Sequence, residues 1–149
     1  MSDIIAEVKA AKTASIQLSS VPTKVKDAAL EAMAEALDSH RSEILEANSK
    51  DLSNGEMLVD AGEISKSMFK RLAIDDVKID GMIDGIRDVI RLADPVGDVM
   101  SELDLDDGLT LFQIRCPIGM LGVIFESRPD VVPQIMSLCL KSGNGVAFK

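Results

Sequence analysis

The sequence predicts an α/β fold in which a helical leader and an antiparallel ribbon precede the first βαβ unit of a parallel sheet. Three observations carry this expectation. Apolar residues recur at helical spacing as far as Leu92. Asp107-Gly108 then sits between two runs in which apolar and polar residues alternate, the pattern of a hairpin. Residues 114–149, IRCPIGMLGVIFESRPDVVPQIMSLCLKSGNGVAFK, run as apolar stretch, short polar turn, amphipathic stretch, Gly-Asn-Gly break and second apolar stretch, which is strand, loop, helix, turn, strand. The expected division is a helical leader over 1–95, a ribbon over 96–115 and the start of an α/β domain over 116–149. Lys149 falls inside the second apolar stretch, so only the opening of such a domain is expected here.

The totals fit a globular chain. With 149 residues, 46% hydrophobic content and a net charge of −9, the chain can bury a core. Its longest apolar runs are far shorter than a bilayer requires, and MSDIIAEVKAAK has no signal-peptide core, so a cytoplasmic location and no membrane partner are expected. Cys116 and Cys139 are too few for a disulfide framework and show no zinc-ligand spacing, so no metal is expected. The acidity is uneven. From Asp75 to Asp107 eleven acids face Lys78, Arg87 and Arg91, whereas from Gly108 onward Glu126 and Asp130 face Arg115, Arg128, Lys141 and Lys149. No basic stripe exists to neutralise a phosphate backbone, which argues against nucleic acid. A small anion near the basic end and an ordinary solvated surface both stay open.

Ile4, Val8, Ala11, Ser15 and Leu18 share one face, so the first eighteen residues read as an amphipathic helix broken at Ser19, Ser20 and Pro22. Pro22 suits the first turn of a second helix capped near Ser20 or Val21, with Ala29, Ala32, Met33, Ala36 and Leu37 as its stripe and an end near His40. His40 reads as a surface residue at a helix terminus. A short helix over Ser42 to Leu52 turns Ile44, Leu45 and Ala47 inward, and Asn54-Gly55 reads as a turn before Met57 to Ala61. Ser65 to Leu72 forms a brief helix. Asp75 caps the clearest helix, with Ile79, Met82, Ile83, Ile86, Val89 and Ile90 inward, and it stops before Asp94-Pro95. Gly81 and Gly85 in it suggest close helix contact. The ribbon is expected from about Gly97 to Arg115, and its open edges call for a partner. Met120 to Phe125 reads as a strand buried on both faces, ending at Glu126-Ser127-Arg128, where an open α/β sheet places ligands. Pro129 leads into a helix with Val132, Ile135, Met136, Cys139 and Leu140; Gly143 and Gly145 close it, with Asn144 tolerant of left-handed angles.

PIGMLGVIFESRPDVVPQ followed by SLCLKSGNGVAFK resembles the gamma-glutamyl phosphate reductases, also called glutamate-5-semialdehyde dehydrogenases, of the aldehyde dehydrogenase superfamily. DDGLTLFQIRCPIG, RLADPVG, EANSKDL and SKSMFKRL extend the likeness over essentially the whole chain and about the first third of a family member. The resemblance implies an aldehyde-dehydrogenase-like fold and NADPH-dependent reduction of gamma-glutamyl phosphate to glutamate 5-semialdehyde with phosphate release, a step of proline biosynthesis. It implies NADP(H) as cofactor, gamma-glutamyl phosphate as partner molecule, and a cysteine thiolate nucleophile that lies beyond Lys149. Cys116 and Cys139 match no such nucleophile and read as core thiols. On this likeness the cofactor-lining strand end falls on Ile124, Phe125, Glu126 and Ser127. The superfamily's oxyanion-binding asparagine falls on Arg128, whose guanidinium can hold a phosphate or carboxylate; the plain alternative is an Arg128–Glu126 surface pair. Lys149 falls on the lysine that contacts the adenosine ribose and approaches a 2′-phosphate, the alternative being an unstructured terminal lysine.

Met1 opens directly on the reductase helices, so a monofunctional enzyme is expected over the reductase half of a bifunctional pyrroline-5-carboxylate synthase. Two other readings stay open: a non-catalytic module that binds protein through the acidic helix and the ribbon, and a regulatory piece that binds nucleotide without chemistry. In every case the 149 residues alone are expected to lack activity, and the ribbon is a candidate homo-oligomer contact.

Overall fold

A computed structural model describes residues 2–149, with side chains from residue 4 onward. Five helices come first: α1 (Ser2–Leu18), α2 (Thr23–Ser39), α3 (Arg41–Asp60), α4 (Lys66–Leu72) and α5 (Asp76–Arg91). A two-stranded antiparallel ribbon follows, β1 (Val99–Asp106) and β2 (Leu109–Ile114). Then come β3 (Met120–Val123), α6 (Val131–Lys141) and β4 (Gly145–Phe148), with β3 and β4 parallel. The α/β architecture anticipated from the sequence is the one observed; Met1, which that reading places in the first helix, lies outside the described residues.

The core is the seam between α2 and α5. Leu30 and Ala34 meet Ile79, Met82, Ile83, Ile86 and Val89, with Met33, Leu37, Ile74 and Leu140 packed around them. Asp75 caps α5 as expected, its carboxylate accepting the Lys78 N–H at 2.8 Å. The α2 stripe differs from the expected one. Ala29, Ala32 and Ala36 are exposed, and the buried row is Lys26, Leu30 and Ala34. A lysine at one end of an i, i+4 row disguises it, and Lys26 can be buried because its ammonium meets Asp94 at 2.7 Å.

The Asn54-Gly55 turn does not form. α3 runs unbroken through it, because Gly55 is buried against α4: a Cβ there would stand 2.9 Å from Phe69 Cδ2. Glycine is present for close approach, which propensity alone cannot show. Gly81 and Gly85 behave oppositely, since a Cβ at either would meet nothing within 4 Å, so the expected close helix contact is not made there. Asn48, buried on α3, clamps the link between α4 and α5, donating to Leu72 O at 2.9 Å and accepting from the Ile74 N–H at 2.8 Å. Ala47, expected inward, is exposed in its place. His40 joins α2 to α3 on the surface, in line with its reading as a helix-terminus residue.

The ribbon forms with Leu103 opposite Leu111 and Asp104 opposite Thr110, and Asp107-Gly108 at its tip. All eight β1 residues are exposed, because nothing among the described residues covers either face. Beyond it, Met120, Leu121 and Val123 are only half-buried rather than enclosed on both faces. Each parallel strand has a single strand neighbour here; α1 packs against both and α6 against β4. Cys116, expected in the core, is exposed in the connector between β2 and β3; Cys139 is buried on α6 as expected. At the end of α6 the left-handed residue is Gly143, φ 72°, not Asn144. Asn144 is buried and holds the connector instead, its Oδ1 accepting the Gly119 N–H at 2.8 Å.

Candidate functional site

The candidate site lies where β3 ends. Past Val123 the backbone remains paired with the end of β4: Lys149 donates its N–H to Val123 O at 2.9 Å, and Phe125 donates to Lys149 O at 3.1 Å. Ile124, Phe125 and Lys149 are thereby held at neighbouring strand ends, on the carboxyl edge where open parallel sheets receive ligands. Phe125 packs edge-to-face on Phe148, with centroids 5.9 Å apart. Ile124 is 84% exposed, an apolar side chain left to solvent beside a terminal cation. An exposed apolar surface with an adjacent cation suits one wall of a dinucleotide cleft.

Ser127 then takes φ 53°, a left-handed angle unusual for a residue with a Cβ, and turns the chain away from the sheet into α6. Strained backbone of this kind costs on the order of 1 kcal/mol and collects at ligand sites. The turn separates the sequence-predicted residues into two groups. Ile124, Phe125 and Lys149 stay on the sheet edge. Arg128 instead reaches a groove of about 550 Å³ lined also by Lys70, Arg71, Lys78, Asp130 and Gln134. The Arg128–Glu126 pair is not made; Arg128 Nη2 donates to Asp130 Oδ2 at 3.0 Å, and both remain partly open to solvent.

Lys70, Arg71 and Lys78 were not singled out by sequence reasoning. A signal for two of them exists: KSMFKRL carries Lys66, Lys70 and Arg71 without an acid in an otherwise acidic leader. Their convergence on Arg128 was not legible, because it depends on α5 packing against α6 and on α4 facing the same groove. Neither cysteine is placed to attack a ligand in this groove, and burial pushes the Cys139 thiol up from its ordinary value, away from the reactive thiolate. Among the described residues no cluster of histidine, cysteine or carboxylate could hold a metal, and no helix is long and apolar enough to cross a membrane.

By architecture, then, this chain combines a helical layer, an exposed ribbon and a βαβ unit with parallel strands and a charged strand-end turn. In sequence and in fold it is similar to gamma-glutamyl phosphate reductases. It is 61% identical over 147 residues to the gamma-glutamyl phosphate reductase of Methanosarcina mazei, covering 99% of this chain and 33% of that protein. Against the enzyme of that name from Brachyspira hyodysenteriae it is 49% identical over 142 residues, 95% of this chain and 33% of the relative. The crystal structure of the Thermotoga maritima gamma-glutamyl phosphate reductase superposes with a TM-score of 0.86 at 40% identity, covering 97% of this chain and 34% of that one. The Saccharomyces cerevisiae structure of the same name gives 0.88 at 39% identity over 95% and 35%. No family model matches. The chain spans about a third of the length of the curated relatives it matches.

Proposed function

We propose that this chain is the helical, ribbon and first βαβ part (1–95, 96–115 and 116–149) of a cytoplasmic gamma-glutamyl phosphate reductase of the aldehyde dehydrogenase superfamily. The reaction is NADPH-dependent reduction of gamma-glutamyl phosphate to glutamate 5-semialdehyde with release of phosphate, in proline biosynthesis. The observation that supports it most is the division of the strand-end residues by the Ser127 turn, which gives an apolar sheet edge on one side and a cationic groove on the other. The likeness to reductases over nearly the full chain supports the same reading.

In this reading Ile124, Phe125, Glu126, Ser127 and Lys149 line the cofactor side. NADPH, when bound, supplies a hydride. The exposed Ile124 offers an apolar contact, and Lys149 offers its ammonium to a ribose or 2′-phosphate. Arg128 serves the substrate side: its guanidinium donates to an acyl-phosphate oxygen, or to the negative charge that grows on the carbonyl oxygen during attack. Asp130 restrains that guanidinium in the meantime. The attacking thiol is assigned to neither Cys116 nor Cys139. The exposed β1–β2 ribbon serves subunit contact in a homo-oligomer.

The experiment is Arg128→Met in an intact reductase that begins with this sequence. Turnover falls on the order of a hundredfold if Arg128 stabilises developing charge, and unchanged turnover removes that role. Lys149→Ala is the companion variant, expected to erode the preference for NADPH over NADH.

A further inference from the structure

The groove around Arg128 contains more positive charge than one substrate-orienting arginine explains. Lys70 and Arg71 come from the last turn of α4, Lys78 from the first turn of α5, and Arg128 from the approach to α6. Asp130 is the one carboxylate among the lining residues. This occurs in a chain of net charge −9 with 25 acids, where cations that serve packing find carboxylates readily. Arg41, for comparison, pairs with Asp38 at 2.9 Å, Asp76 at 3.1 Å and Asp80 at 2.6 Å. Of the groove cations, Arg128 is paired with Asp130, while Lys78 and Arg71 are held by backbone. Lys78 Nζ donates to Ala73 O, and Arg71 Nε donates to Ser67 O at 3.3 Å, which leaves further N–H donors on each head group. The groove also borders the first turns of α5 and α6, whose ends are positive by virtue of the helix dipole. Four like charges around an open groove with a single carboxylate repel one another unless an external anion joins them.

We infer that Lys70, Arg71 and Lys78 form, with Arg128, an oxyanion-binding site for the substrate's phosphate or α-carboxylate. This rests on the reductase reading and extends it from one arginine to a four-cation site. The cofactor's phosphates are the less suited occupant, because Ile124, Phe125 and Lys149 lie outside the groove lining.

The test uses the intact reductase in the reverse direction, where phosphate, glutamate 5-semialdehyde and NADP are varied separately. In Lys70→Ala/Lys78→Ala, KM for phosphate or for the semialdehyde rises about tenfold while KM for NADP is unchanged. A rise for phosphate identifies the phosphate subsite, and a rise for the semialdehyde identifies the carboxylate subsite. Unchanged KM for both, or a rise confined to NADP, overturns the inference. A second measurement needs no variant: inorganic phosphate or glutamate should shield Lys70 and Lys78 of the unmodified enzyme from an amine-acylating reagent, read by mass spectrometry against the exposed Lys50. Equal labelling of all three with either anion present overturns the site. If the unaltered enzyme reduces no NADP with the semialdehyde and phosphate present, the reductase reading fails, and the labelling result still decides whether the groove binds oxyanions.

Discussion

Lys26 and Lys141 stand in the opposite setting from Lys70 and Lys78. The first two are buried, 1% and 3% exposed, where α2, α5 and α6 meet. Lys26 reaches Asp94 at 2.7 Å, and Lys141 reaches Asp27 at 2.6 Å and Ile90 O at 3.0 Å. Lys26 also donates to Lys141 O at 3.4 Å, so the two pairs join the helical layer to the βαβ unit. Lys70 and Lys78 are exposed around a groove that supplies one carboxylate for four cations. The same side chain is thus part of the packing where its charge is matched internally and is available to a ligand where it is not.

The comparison breaks first on the buried side. Lys26→Ala leaves Asp94 half-buried without its ammonium and should lower unfolding free energy by about 3–5 kcal/mol, measured by urea denaturation. The acid limb offers a second reading of the same pair. Burial pushes the Asp94 carboxyl up, but hydrogen bonds from the Lys26 ammonium, the Val96 N–H and the Thr23 hydroxyl outweigh it, so its pKa ends below the ordinary 3.8. A depressed native pKa means that this contribution is complete above the unfolded value and disappears as pH falls through the native one. Stability of the natural protein should therefore drop more steeply below about pH 4 than that of Asp94→Asn, in denaturation midpoints taken across the acid range.

Two glycines extend the contrast at smaller magnitude. Gly55→Ala forces a methyl against Phe69 and should cost about 1–3 kcal/mol. Gly81→Ala, on the groove-lining helix with open space around it, should stabilise by about 0.5–1 kcal/mol, seen as a raised melting temperature. The smallest effect belongs to the groove itself. Lys70→Ala should leave unfolding free energy within about 0.5 kcal/mol of the natural protein. A larger loss would mean that this cation is structural after all.

Much of the fold was legible because its signals are local. Ile79, Met82, Ile83, Ile86 and Val89 repeat at helical spacing behind the Asp75 cap, and Asp107-Gly108 marks its own hairpin. The strand-end turn was legible for the same reason, from apolar run to Glu126-Ser127-Arg128. Where the reading went astray, a partner distant in sequence had changed what a residue was for. Gly55 is in a helix because Phe69 needs the room, Lys26 is inside because Asp94 lies 68 positions away, and Asn144 is buried because Gly119 needs an acceptor.

By itself, then, the sequence determined the α/β class, the helical leader before the ribbon and the strand, turn and helix that follow it, since periodicity, capping and turn chemistry act over a few neighbouring residues. Only the tertiary structure decided which charges are internal and which face the groove. That outcome depends on burial and on distances between α2, α4, α5 and α6, and electrostatic pairing acts through space rather than along the chain.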